Sequence, residues 1–203
     1  MNLEENYIIN LLGHYEETSD LWLIFEKSGP TLNNLIFKIK GEFLNNERIY
    51  FIQKGKFLRK ISNSNFAILK IIIRKIASFI KFISDNGIVH ADLKPENILV
   101  ELDENDDFKN LKIIDFGSAF ESANPENFSS NTPEYLSPEV NELIDKNPSR
   151  SNITQFLKNL NPWAIDVWSL GVTIIEIIIG CPVWMNFKSK ITRNNKVIFY
   201  NYL

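Results

Sequence analysis

The chain has 203 residues, 44% apolar and 23% charged, enough for one full-sized core or two small ones, which excludes an unfolded tail. Its 22 basic and 25 acidic side chains leave a formal charge of −3, so the composition offers no global grip on nucleic acid or anionic lipid. The one cysteine, Cys181, cannot form an internal disulfide, and with two histidines it cannot fill a tetrahedral zinc site without carboxylate help. The chain reads as intracellular, cytoplasmic or nuclear.

The first residues, Met1 to Asn6, lack the basic start and apolar run of a signal peptide. Residues 21 to 26, Leu-Trp-Leu-Ile-Phe-Glu, are rich in aromatic and β-branched side chains and lie between Glu17-Thr18-Ser19-Asp20 and Ser28-Gly29-Pro30. They predict a buried strand, paired with Tyr7 to Tyr15 in a hairpin. From Thr31 to Ser64, Leu32, Leu35, Ile36 and Ile39 give a helix, followed by an irregular excursion.

Phe66 to Ser84 is the clearest helix. Leu69, Ile72, Ile73, Ile76, Phe79, Ile80 and Ile83 form its apolar face, opposite Lys70, Arg74, Ser78 and Lys81, and Asn86-Gly87 ends it. Two short apolar runs, Asn97 to Leu102 and Leu111 to Ile114, predict a second hairpin. Its acidic connector places Asp103, Asn105 and Asp107 at the spacing of calcium ligands. Phe108 replaces the turn glycine of such a loop and Ile114 its bidentate glutamate, so a solvated turn is expected.

Residues 116–162 read as extended loop on a scaffold. Pro162 then opens a helix from Trp163 to Ile179, ending at Gly180. It is apolar nearly all round, with one polar line of Asp166, Ser169, Thr173 and Glu176, and is expected to be buried on almost every side. Its run from Val167 is too short for a membrane span and carries Glu176. Neither an internal repeat nor an interdomain linker is evident.

His90-Ala91-Asp92-Leu93-Lys94-Pro95-Glu96-Asn97 falls between the long helix and the second hairpin, and Asp115-Phe116-Gly117 follows that hairpin. Phosphoryl transfer to a hydroxyl depends mostly on positioning and on neutralising charge. Asp92 could orient the attacking hydroxyl and accept its proton. Lys94 could neutralise the transferring phosphate, and Asn97 and Asp115 offer the hard oxygens Mg²⁺ prefers. Singly, each has a plainer reading: His90 as a core histidine, Asp92 and Asp115 as turn or cap residues, Asp166 as a helix N-terminal carboxylate. Their joint order favours the chemical one.

That order resembles the eukaryotic protein kinase superfamily of Ser/Thr type, with His-x-Asp-Leu-x-x-x-Asn, Asp-Phe-Gly and Ser137-Pro138-Glu139 in sequence. Leaving Ser137 aside, the nine remaining fixed letters at ~1/20 each match by chance with a probability on the order of 10⁻¹². The resemblance implies an α+β, protein-kinase-like fold, mostly the α-helical large lobe plus a β-hairpin remnant of the small lobe. Residues 1–27 would be the last two small-lobe strands, and 28–203 an incomplete large lobe.

It further implies transfer of the γ-phosphate of ATP, with Mg²⁺, to Ser/Thr hydroxyls of protein substrates, with Asp92 as base and Lys94 beside it. Asn97 and Asp115 would hold metal, and Phe25, Glu26, Ser28 and Leu99 would line the adenine site. Thr132, Pro133 and Glu134 would dock the substrate, Thr132 bonding Asp92 and Lys94. Asp166 would hold the catalytic-loop backbone, and Leu11, His90 and Phe116 would form part of a hydrophobic spine. No nucleic acid or membrane partner is implied, and the oligomeric state is open.

Several features depart from the family pattern. Ahead of Leu11 there is no Gly-x-Gly-x-x-Gly loop and no Val-Ala-Ile-Lys strand, and after Gly180 no recognisable arginine to pair with Glu139. Losing preorganised phosphate contacts costs ~10²–10³ in rate apiece, so this stretch alone is expected to phosphorylate poorly and, with open strand edges, to be poorly soluble. Ala91 replaces the arginine that reads activation-loop phosphate in many kinases, which argues against that switch. The segments 30–64 and 140–162 are expanded and expected at the surface. The alternatives are a non-catalytic, pseudokinase-like interaction module and a small-molecule phosphotransferase.

Overall fold

The computed structural model describes residues 7–44, 47–128, 132–146, 149–161, 163–183, 189–191 and 196–199. Strands β1 (Leu11–Glu17) and β2 (Asp20–Phe25) form an antiparallel hairpin around the Glu17↔Asp20 turn. Helix α1 (Leu32–Ile36), capped by Thr31, leads into β3 (Phe37–Leu44), β4 (Glu47–Lys54) and α2 (Lys56–Asn63). The long helix α3 (Ala67–Asp85) is followed by β5 (Ile88–Val89), the catalytic-type loop, β6 (Ile98–Leu102), β7 (Phe108–Ile113) and β8 (Phe120–Glu121). Then come α4 (Pro138–Asp145), α5 (Arg150–Asn159), α6 (Ala164–Ile179), β9 (Ser189–Ile191) and β10 (Lys196–Phe199).

Helix α3 anchors the larger core. Leu69, Ile72, Ile76, Phe79, Ile80 and Ile83 are buried against α1, α2, α6 and the β6–β7 hairpin, while Lys70, Arg74, Ser78 and Lys81 are exposed. Each such buried side chain contributes roughly 1.5–3 kcal/mol. A second core, of Val89, Ala91, Phe120, Leu136, Val140, Leu157 and Ile165, lies beneath the 116–162 segment.

That segment is therefore more than loop. Within it α4 follows Ser137-Pro138, with proline in its first turn, and α5 starts at Ser149, whose hydroxyl accepts from the Asn152 amide. The excursion predicted after α1 is likewise ordered. Phe37-Lys38-Ile39-Lys40 alternates with a period of two, and β3 and β4 pair antiparallel from Phe37↔Lys54 to Leu44↔Glu47. Strand β10 adds to β4, and β9 to β10.

Three burial expectations are reversed. The segments 30–64 and 140–162, expected at the surface, bury Leu32, Ile36, Phe57, Ile61, Val140 and Leu157 in the two cores because each folds into helices with an apolar side. The β1–β2 hairpin is exposed rather than buried: Leu11, Leu12, Tyr15, Leu21, Trp22, Leu23, Ile24 and Phe25 all exceed 40% exposure. Among the described residues no layer covers it. It is attached through its base, where Ile8 bridges Ile113, the Ile113 amide donates to Tyr7 O at 2.7 Å, and the Glu26 amide to Asn10 O at 3.0 Å. Helix α6 is only partly covered, leaving Val167, Trp168, Ile175 and Ile178 exposed, and its polar line is the side that is buried.

Between the hairpin and α1 the chain crosses β6 closely. Val100 N donates to Pro30 O at 2.9 Å, and a Cβ on Gly29 would lie 1.9 Å from Val100 O. Gly29→Ala should therefore force the two backbones apart and cost about 1–3 kcal/mol. Urea denaturation would read this as a lower midpoint, whereas Gly13→Ala, at a position with open space, should leave the midpoint nearly unchanged.

Candidate active site

The loop after β5 is held from beneath by α6. Asp166, on the first turn of that helix and 1% exposed, accepts from the amides of His90 and Ala91, both at 2.9 Å. Ala91 has φ +63°, a left-handed conformation a non-glycine residue adopts at some cost. The carboxylate holds that strained turn in place. Burial pushes the Asp166 carboxyl up to about 6, partly offset by its two amide donors.

His90 is fully buried. Its Nδ1 accepts from the Asp92 amide at 3.3 Å and its Nε2 lies 3.1 Å from Ile114 O, an arrangement that suits the Nε2–H tautomer. Burial pulls its pKa down, keeping the ring neutral. It packs on Phe116 at 4.9 Å between ring centroids, and Phe79 meets both rings edge-on. Contacts to Ile114 and Phe116, the neighbours of Asp115, bring the Asp115 turn to the Asp92 loop. Tyr7 extends the ring cluster against Phe79, while Leu11, assigned to the spine by resemblance, stands 53% exposed and outside the core.

Asp92 is the hub. Thr132 Oγ1 donates to its Oδ1 at 2.8 Å. Lys94 Nζ lies 2.7 Å from its Oδ2 and 2.6 Å from Thr132 Oγ1. Asn97 Nδ2 donates to Asp92 O at 2.9 Å and to its Oδ2 at 3.0 Å, which turns the Asn97 Oδ1 the other way. Asp115 is exposed at φ +65°, and its Oδ1 accepts from the Gly117 amide at 3.2 Å. Asn97 Oδ1 and the Asp115 carboxylate are hard oxygen donors of the kind a divalent cation needs.

A cleft of about 310 Å³ opens beside this cluster, lined by Lys94, Glu96, Thr132, Glu134, Tyr135 and Pro182 among others. Pro133 begins the single turn Pro133–Tyr135 that shapes its wall. Tyr135 is fixed at both ends by α6: its hydroxyl donates to Glu176 Oε2 at 2.7 Å, and Ser169 Oγ donates to its carbonyl at 2.9 Å. The Val183 amide donates to Glu176 Oε1 at 3.0 Å. Burial pushes the Glu176 carboxyl up to about 7 and raises the Tyr135 hydroxyl well above its ordinary value.

The remaining nucleotide-site expectations fall on the hinge side. Phe25 is 44% exposed at the end of β2, and Leu99 is half-buried on β6, bridged to Thr31. Ser28 Oγ is buried without a hydrogen-bond partner. Glu26 carries an ion pair the sequence reading did not single out. Its Oε1 pairs with Lys112 Nζ and also accepts from the Asn10 amide at 2.9 Å, which holds its carboxyl below the usual range. No signal in the sequence points to it, since a lysine alternating with Leu111 and Ile113 in β7 reads as a solvated position. The calcium-like turn is closed as a solvated turn: Asp103 Oδ1 accepts from the amides of Asn105 and Asp107, both at 2.8 Å, and Asp107 pairs with Lys60.

Glu176 gives a pH test. Its folded-state pKa lies above the unfolded value of 4.5, so its contribution to stability is full below that value and is lost as pH rises through about 7. His90, depressed by burial, works in the opposite direction. Between pH 5 and 8 wild type should therefore lose on the order of 3 kcal/mol more than Glu176→Gln in paired denaturation curves. Parallel curves for the two proteins would contradict the assignment.

The description "protein kinase domain" matches residues 1–200. A probable inactive protein kinase of Arabidopsis thaliana is 26% identical over 208 residues, covering 87% of this chain and 53% of the relative. An Aurora kinase of Encephalitozoon cuniculi is 28% identical over 182 residues, covering 88% and 52%. A serine/threonine-protein kinase of Drosophila persimilis is 36% identical over 113 residues, covering 56% and 13%. The chain spans about half the length of the first two and less of the third. With its α+β architecture and near full-length match, the chain belongs to the protein kinase family.

Proposed function

We propose that this chain carries the catalytic loop and metal-binding turn of an intracellular protein serine/threonine kinase. In this reading Asp92 orients the acceptor hydroxyl, and Asn97 and Asp115 hold Mg²⁺ on ATP. The observation that carries it is the closed set of contacts joining Asp92, Lys94, Asn97 and Thr132. Bound Mg²⁺ and ATP supply the phosphoryl group and neutralise its oxygens.

The protein's own groups do the positioning. Asp92 Oδ2 is engaged by Lys94 and Asn97, whereas Oδ1 accepts from Thr132 alone and keeps a lone pair for an incoming hydroxyl. That hydroxyl's proton would pass to Asp92 as its oxygen bonds to the γ-phosphorus and the bond from that phosphorus to the β–γ bridging oxygen breaks, releasing ADP. Lys94, held on Asp92 Oδ2 and Thr132 Oγ1, would neutralise charge on the transferring phosphate. Glu96 and Glu134 on the adjoining cleft favour a substrate with a basic residue near its Ser or Thr. Phe25, Glu26, Ser28 and Leu99 belong to the adenine side of the site, and Thr132, Pro133 and Glu134 to the peptide side.

A non-catalytic interaction module is the second reading, prompted by the Arabidopsis relative whose name calls it probably inactive. The two separate in one experiment. Radiolabelled ATP and a generic basic protein are incubated with the full-length gene product, and Asp92→Asn is expected to lower transfer at least ~10²-fold. Equal labelling by both proteins would sink the assignment of Asp92. An ATP- and Mg²⁺-dependent rise in melting temperature, lost in Asp115→Asn, is expected of the catalytic reading, and no rise in either protein favours the module.

A further inference from the structure

The expanded segment after α1 builds a cavity that shares no lining residue with the catalytic cluster. About 370 Å³ in volume, it lies between α1, the β3–β4 hairpin, the first turn of α2 and the β6–β7 turn. Its floor is apolar, from Leu35, Phe57 and Leu102, and its rim is basic. Lys38, Lys54, Lys56 and Lys60 all line it, against the single carboxylate of Asp106.

Lys60 is already engaged with Asp107 Oδ1 at 2.8 Å and with Asn105 O. Lys38, Lys54 and Lys56 are exposed and make no ion pair with any described residue. Lys38 and Lys56 thus leave two unpaired ammonium-bearing side chains along one concave site, while Lys54 stands on the face of the hairpin opposite Lys38, its Cδ and Cε against the Gly180 end of α6; like charges repel unless an anion separates them. The first turn of α2 adds no acidic residue and no side-chain cap that would offset them.

We propose that this cavity is a docking site for a phosphorylated peptide segment of a partner protein. A phosphomonoester dianion presents three oxygens and nearly two negative charges, enough to engage Lys38 and Lys56 together, where a lone carboxylate carries one charge. The apolar floor suits an aliphatic or aromatic neighbour of the phosphoresidue. Nucleic acid would require a basic stripe running on past the cavity, whereas the β6–β7 turn that bounds it on one side is acidic, with Asp103, Glu104, Asp106 and Asp107. The choice of a phosphopeptide rests on the protein-kinase reading; the test below needs neither ATP nor catalysis, so it can fail independently of that reading.

The probe is a fluorescein-labelled peptide, Gly-Leu-phosphoserine-Leu-Gly, followed by anisotropy with the full-length gene product at moderate salt. Binding should be at least ~10-fold tighter than for the unphosphorylated peptide and weaken with added salt. It should fall at least ~10-fold, or about 1.4 kcal/mol, in Lys38→Ser/Lys56→Ser and recover in Lys38→Arg/Lys56→Arg. Lys70→Ser/Arg74→Ser, which removes the same charge from the exposed side of α3, should bind like wild type. Equal loss in the α3 pair would mean diffuse attraction and overturn the proposal. So would unchanged binding in Lys38→Ser/Lys56→Ser, or competition by inorganic phosphate at the peptide's own affinity, the signature of an adventitious ion only.

Discussion

The arrangement of the site depends on one buried carboxylate. Asp166 takes the amides of His90 and Ala91 and thereby fixes a left-handed turn that no glycine relieves. Without those acceptors the loop would have two buried donors to satisfy and a strained residue with nothing to over-determine it. From that turn the geometry propagates outward. His90 reaches the backbone beside Asp115, Asp92 gathers Lys94, Asn97 and Thr132, and Asn97 is left presenting its carbonyl oxygen. The loops that carry Asp92 and Thr132, distant in sequence, become one cluster because α6 holds both, through Asp166 under His90 and Ala91 and through Ser169 and Glu176 on Tyr135.

Much of this was legible in the sequence, for reasons that differ by element. The α3 face was readable because Leu69, Ile72, Ile76, Phe79 and Ile83 repeat at helical spacing. The catalytic cluster was readable because the residue types and their order are dictated by phosphoryl-transfer chemistry rather than by packing. The β3–β4 hairpin was missed although Phe37-Lys38-Ile39-Lys40 alternates, because the helical spacing of Leu32, Leu35, Ile36 and Ile39 ran into it and concealed where one period gave way to the other.

Burial was harder to read than secondary structure. Strand β2 has the composition of a core strand and is exposed on both faces, since alternation and propensity report what a strand could cover rather than what lies over it. The Lys112–Glu26 pair escaped for a related reason: a lysine inside an apolar strand looks like a solvated position until a distant carboxylate is placed against it. Short helices α4 and α5 were missed because their signals, Ser137-Pro138 and Ser149, sit among residues otherwise typical of loops.

The inward polar stripe of α6 sets an unusual rule for anyone redesigning this molecule. Greasing a helix interior is the ordinary route to a hardier protein, yet here leucine in place of Glu176 would strand the Tyr135 hydroxyl and the Val183 amide, each worth about 1–3 kcal/mol when left unmatched. Polar replacements on the opposite flank, at Val167 or Ile178, meet solvent and carry no such penalty within the described surface. For this helix, a hydropathy plot would steer an engineer to the wrong side.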